Sequence, residues 1–226
     1  ITAWEWHADD VIPLFLPLHH VHGIINVLSC ALWAGATVYA MPKLDLTALC
    51  AQVAADTFSV FMAVPTIYVK LIDHLETLED EELEGICEGF ANMRLNVSGS
   101  AACPVGVFEE WRDLTGQMLL ERYGMTEIGM ALSNPYRGER RPGYVGQALP
   151  DVAVRLVDEE GGIVTGEDAP GEIQIQSPTV FLEYWGNAEA TETSFLDEWF
   201  CTGDIAVIED CLLYTSDAAD DGGGVG

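Results

Sequence analysis

Up to about residue 125 the chain consists of short apolar runs, bounded by Pro or Gly, that alternate with stretches of helical spacing. That alternation leaves few options. Apolar strands separated by helix-length crossovers form a mostly parallel sheet covered on both faces. VIPLFLPL (11–18) reads as a buried strand closed by prolines, and residues 21–33 as an apolar helix ended by Gly35. TVYAM (37–41) and FSVFMAV (58–64) read as two further strands, with a helix over 45–55 between them that Asp45 can cap. Pro65 suits the first position of the next helix, whose stripe is Ile67, Leu71 and Leu75. The acidic stretch 77–90 is expected to be an exposed helix with its charge near the favourable end. RLNVSGSA (94–101) and QMLLERYG (117–124) each read as strand then turn, flanking a helix over 104–116 that opens with Pro and closes with Gly.

From about residue 142 the periodicity changes to two. VAVRLVDEEGG and GEIQIQSP predict short antiparallel strands. The expected fold class is α/β: a mostly parallel sheet flanked by helices over 1–141, then a small antiparallel β unit over 142–210. CLLYTSDAADD resembles translated sequencing-adapter sequence, so 211–226 is expected to be a non-native or disordered tail. The chain starts in mid-pattern without Met, which reads as an internal piece of a longer protein.

The net charge of −28 argues against nucleic acid or an anionic membrane as partner, because phosphate contacts need Lys and Arg. No run of 18 apolar residues predicts a membrane span. Six scattered cysteines without a CxxC pair favour free thiols in a reducing compartment.

Four short motifs could carry chemistry. In SGSAACP, small residues follow a strand, which either makes an ordinary turn or lets a flat ligand approach the backbone. In ERYGMTE, Tyr123 can stack on a purine and Gly124 leaves room beside it. Thr126 can reach a phosphate, and Glu127 can hold Mg2+, which takes one or two carboxylates together with substrate phosphate. In FCTGDIAVI, Asp204 is either a turn residue or an acceptor for ribose hydroxyls. HHVHG invites a zinc reading, but a zinc site needs further ligands. The other histidines, His7 and His74, form no second cluster in the sequence, and a histidine lining a substrate channel fits better.

In this order, SGSAACP, ERYGMTE, PGYVGQALPDVAVRLVD, GEIQIQSPTVFLEYW and WFCTGD resemble the acyl-CoA synthetases of the adenylate-forming superfamily over about residues 1–210. Within that superfamily, LPLHHVHGIINVL, VFMAVPTIYVKL, MRLNVSGSA and LLERYGMTEIGMALSNPY are similar to the malonate-activating synthetases. The resemblance implies part of the large N-terminal domain of an ATP-dependent acid–CoA ligase, with malonate, ATP and CoA as substrates and Mg2+ as cofactor. It implies that Ser100, Ala101 and Ala102 line the adenine pocket, with Tyr123, Gly124 and Met125 at the base. Thr126 would touch phosphate, Glu127 magnesium and Asp204 ribose. His22 would sit where acyl acid and pantetheine meet. The family's phosphate loop and C-terminal lid match nothing here, so the chain alone is expected to be inactive as a ligase. The resemblance also implies an intracellular setting, mitochondrial or cytosolic.

A dicarboxylate keeps one anion free after activation, and burying it unpaired would cost several kcal/mol. Of the nine basic residues, only Arg94 and Arg122 abut the two nucleotide motifs. Arg94 is expected to pair that carboxylate, with Arg122 second, since a guanidinium fork fits it. The alternatives are a ligase for another short or medium acid, and a non-catalytic nucleotide-binding module.

Overall fold

A computed structural model of the chain describes residues 1–166, 169–210 and 212–215. Its centre is a five-stranded sheet of order β3-β4-β5-β6-β7: Val60–Ala63, Leu95–Ser98, Leu120–Met125, Gly129–Ser133 and Gln147–Ala148. β3, β4 and β5 run parallel; β6 and β7 are added antiparallel. A parallel pair, β1 (Val11–Leu14) and β2 (Thr37–Ala40), lies beside it.

The alternation of side chains along β3 explains why both faces are covered. Phe61 and Ala63 face a cluster built with helices α2 (Leu46–Ala54), α3 (Pro65–Leu75), α4 (Asp80–Asn92) and α5 (Val105–Thr115). Val60 and Met62 face the opposite way, against Trp4, Trp6, Ile12, Val27 and Ala31. Successive strand side chains point to opposite faces, so an all-apolar strand requires a cover on each side. The helices start where local chemistry predicts. Asp45 accepts from the Ala48 N–H at 3.0 Å, Pro65 opens α3, Asp80, Glu81 and Glu82 occupy the first turn of α4, and Gly116 (φ 72°) closes α5.

Four details depart from the sequence reading. Residues 21–33 are helical, but His22–Ser29 is a π-helix that continues into α1 (Cys30–Ala34). Tyr123 and Gly124 do not form a turn. They stay in β5, where a register shift between them accommodates the pairing with β6, and the turn comes at Thr126–Ile128. The central sheet also continues through Ala148, so the second sheet starts at β8 (Ala153–Val157), later than residue 142. That sheet is antiparallel, of order β10-β11-β9-β8, with β9 at Gly171–Gln176, β10 at Phe195–Leu196 and β11 at Trp199–Glu209. A short helix, α6 (Ala188–Thr193), precedes β10. Four residues of the expected tail form a strand: β12 (Leu212–Thr215) pairs with β11. Cys211 and 216–226 lie outside the described residues. No helix among the described residues is long and apolar enough to cross a membrane.

Candidate active site

β4 and β5 are parallel and adjacent, with Ser98 in register with Glu121. The loop 99–103 and the turn 126–128 therefore leave the sheet from the same edge, the carboxyl ends at which α/β sheets bind ligands. Close approach at that edge depends on two glycines. A Cβ on Gly99 would collide with the Arg122 guanidinium, and one on Gly124 with the Gly129 carbonyl. Ser100, Ala101 and Ala102 are exposed in the loop, and Thr126 is exposed beyond β5.

The structure joins motifs that are remote in sequence. The Tyr123 hydroxyl donates to Asp204 Oδ2 at 2.6 Å, across 81 positions. Burial and the neighbouring Asp204 carboxylate push the Tyr123 phenol well above its usual range, so it remains a donor. Asp204 follows Gly203 (φ 78°) in β11, and its own N–H donates to the Thr202 hydroxyl. Glu127 is oriented from the other side: the Tyr184 hydroxyl donates to its Oε1 at 3.1 Å, and its carbonyl accepts from the Phe181 N–H at 2.7 Å. One half-buried carboxylate beside the Thr126 hydroxyl matches what magnesium needs from a protein when phosphate oxygens supply the rest.

The histidine run divides. His19 and His20 are exposed, with their rings tilted against each other at a centroid distance of 4.3 Å, while His22 is buried. His22 Nδ1 lies 3.1 Å from Ser100 Oγ, and Arg122 Nη2 donates to the same oxygen at 3.1 Å. Among the described residues no cluster of three or more His, Cys, Asp or Glu could hold a metal ion.

The two candidate arginines sit in different surroundings. Arg94 does not face the nucleotide motifs as a free cation. Its Nε and Nη2 grip Asp10 at 2.7 and 2.5 Å, its Nη1 donates to the Trp4 carbonyl, and its plane lies over Tyr136. That fork is filled. Arg122 is 4% exposed, makes no ion pair among the described residues, and has an Nε with no partner. Burial lowers its pKa to about 10, so it stays a cation at neutral pH. The Ser100 hydroxyl is turned to His22 and Arg122.

Sequence reasoning missed Tyr184, Asp10 and Glu121. Glu121 is 4% exposed, and its Oε2 accepts from the Gly143 N–H at 2.8 Å. Burial raises its pKa to about 7 despite that bond. The folded protein thus keeps a proton between about pH 4.5 and 7 that the unfolded chain releases. Stability attributable to this group therefore falls as pH rises through that window, by roughly 3 kcal/mol in all. Glu121→Gln should leave urea midpoints unchanged near pH 4.5 and raise them at pH 8. Equal shifts at both pH values would contradict this.

Beside Thr126 lies a cavity of about 550 Å3, lined among others by Trp4, Val21, Ile25, Asn26 and Met130. It is mainly apolar, and the buried Asn26 Nδ2 has no partner.

This arrangement has close parallels. The AMP-binding enzyme family matches residues 1–185. The chain belongs to that family. The AMP-binding fold extends to solved structures: apo MatB from Rhodopseudomonas palustris superposes with a TM-score of 0.86 at 35% identity, covering 97% of this chain and 42% of that one. A malonyl-CoA ligase ternary product complex with methylmalonyl-CoA and AMP gives a TM-score of 0.86 at 34% identity, covering 95% and 45%. The Homo sapiens protein named malonate–CoA ligase ACSF3, mitochondrial, is 45% identical over 239 residues, covering 93% of this chain and 41% of the relative. The chain thus spans about two-fifths of the length of these AMP-binding relatives.

Proposed function

We propose that this segment forms the nucleotide- and acid-binding wall of an ATP-dependent malonate–CoA ligase. The observation that carries the reading is the Tyr123–Asp204 hydrogen bond, which joins the motif for the base to the motif for the ribose. Asp204 keeps lone pairs for ribose hydroxyls, and the Tyr123 ring, with Gly124 and Met125, bounds the base together with Ala101 and Ala102. Thr126 donates to phosphate. Glu127, held by Tyr184, is the residue for magnesium, which when bound neutralises phosphate charge. The malonate carboxylate attacks the α-phosphorus of ATP and pyrophosphate leaves. The CoA thiolate then attacks the acyl carbon and AMP leaves. The protein contributes orientation and charge neutralisation.

The second carboxylate of malonate selects the partner. Arg122, buried and without an ion pair among the described residues, fits it, with His22 beside it. The solved malonyl-CoA ligase with methylmalonyl-CoA bound and the human relative named malonate–CoA ligase support this choice of acid. An intracellular location, mitochondrial or cytosolic, belongs to the same reading, since the human relative carries "mitochondrial" in its name.

Titration calorimetry with AMP tests the proposal on the chain itself. AMP should bind, and Asp204→Ala should weaken binding by roughly 10–100-fold, the range for losing hydrogen bonds to a charged group. No binding, or equal binding by the variant, would remove the basis of the reading.

A further inference from the structure

We infer that Ser100 is a positioning residue whose hydroxyl, turned by Arg122, fixes His22 as a neutral Nε2–H donor to the acyl acid and denies it the role of a base.

The argument starts from donor and acceptor capacity. A guanidinium only donates, so Ser100 Oγ must accept from Arg122 Nη2. The hydroxyl then has its own hydrogen to give, and His22 Nδ1 stands 3.1 Å away. The reverse arrangement would aim an Nδ1–H at an oxygen already facing a cation and would take the hydroxyl hydrogen out of the relay. Donation from a hydroxyl that is itself accepting is strengthened, because successive hydrogen bonds polarise one another. Nδ1 is therefore bare, and the ring hydrogen of a neutral His22 sits on Nε2.

Three further observations hold this relay in place. Ser100 has φ 73°, a left-handed conformation that a residue with a side chain rarely adopts. Strain of this kind persists where surrounding structure imposes it, and it concentrates at functional sites. His22 begins the π-helix, a form often found at such sites, and Gly23 packs that start against the Pro17 carbonyl. Gly99 leaves the space in which the Arg122 guanidinium lies. Burial and the adjacent Arg122 charge lower the His22 pKa to about 2, so the ring is neutral at any ordinary pH.

The relay ends in unsatisfied groups. His22 Nε2 and Arg122 Nε are buried and have no partner among the described residues. Leaving buried donors unpaired is costly, and two beside one cation call for an anionic oxygen ligand. On the ligase reading, that ligand is the acyl acid. A bare Nδ1 committed to Ser100 and a protonated Nε2 leave His22 nothing with which to accept the CoA thiol proton.

The tautomer can be read directly. In the 15N-labelled chain, long-range 1H–15N correlation, with His22 assigned by its absence in His22→Gln, should show a protonated Nε2 and a bare Nδ1. The pattern should not change between about pH 5.5 and 8, where an ordinary histidine titrates. Ser100→Gly suits the left-handed backbone and removes the whole side chain, whereas Ser100→Ala removes the hydroxyl alone; both should give a mixture of tautomers. A dominant Nδ1–H form in the unaltered chain, or an unchanged tautomer in both variants, overturns the inference. Malonate should shift the Nε2–H resonance, and uncharged propionamide should not. An unmoved resonance with the tautomer intact would overturn the donor role and place the fault in the ligase reading, not in Ser100.

Discussion

Replacing Arg122 with methionine is expected to cost a full-length ligase carrying this segment roughly 30- to 3,000-fold in kcat/KM for malonate, the range for stranding one member of a buried charge pair. A short monocarboxylic acid such as propionate should change only a few-fold, because it brings no second carboxylate. Stability separates this from a general defect. Arg122 is buried without an ion pair among the described residues, and its hydrogen bond to Ser100 offsets only part of the desolvation cost that the unliganded protein carries. Methionine fills similar space without charge. The variant should therefore unfold at the same urea concentration as the parent or a higher one. A parallel fall in malonate and propionate turnover, or a marked loss of stability, would show that Arg122 holds the fold and does not select the acid.

The same residue shows what could be read in the sequence. Its neighbours Tyr123, Gly124, Met125, Thr126 and Glu127 are contiguous, and contiguous residues at a strand end share a neighbourhood in any fold. Local signals also placed α2 and its Asp45 cap, Pro65 at the start of α3, and Gly116 at the end of α5. Gly124 misled because glycine marks both turns and close backbone approach. Here the Gly129 carbonyl occupies the space a Cβ would need, and the residue stays in a strand. The choice between Arg94 and Arg122 could not be made locally. It rests on Asp10, 84 positions before Arg94, whose side chain fills the Arg94 fork. The Tyr184 contact with Glu127 has the same character: it spans 57 positions and leaves no spacing to recognise. Ser100 lies in the loop that follows β4, and its side-chain direction depends on a backbone angle that nothing in SGSAACP announces.

Asp10 should prove to be among the most sensitive polar positions in the chain. It is 3% exposed, and its carboxylate accepts from Arg94 twice, from the Ser59 hydroxyl at 2.8 Å and from the His7 N–H at 2.8 Å. Asp10→Ala removes the acceptor for all of these and leaves the Arg94 cation mostly buried, a situation that costs about 3–5 kcal/mol. Adding Arg94→Met removes the stranded charge, so Asp10→Ala/Arg94→Met should be more stable than Asp10→Ala alone. Additive losses would mean that the two side chains act independently and that the ion pair is incidental. Acid provides a second check. Burial alone would raise the Asp10 pKa, but the hydrogen bonds from Arg94, His7 and Ser59 outweigh it and hold the carboxyl below its usual value. A carboxyl with a lowered folded pKa contributes stability that is complete above its unfolded value, near pH 4, and is lost as pH falls through the folded one. The stability gap between the parent and Asp10→Ala should therefore be constant from pH 8 to about pH 5 and should narrow below pH 4. A gap that widens in acid would mean that the protonated form is the one the fold prefers, and that the Arg94 fork does not govern this site.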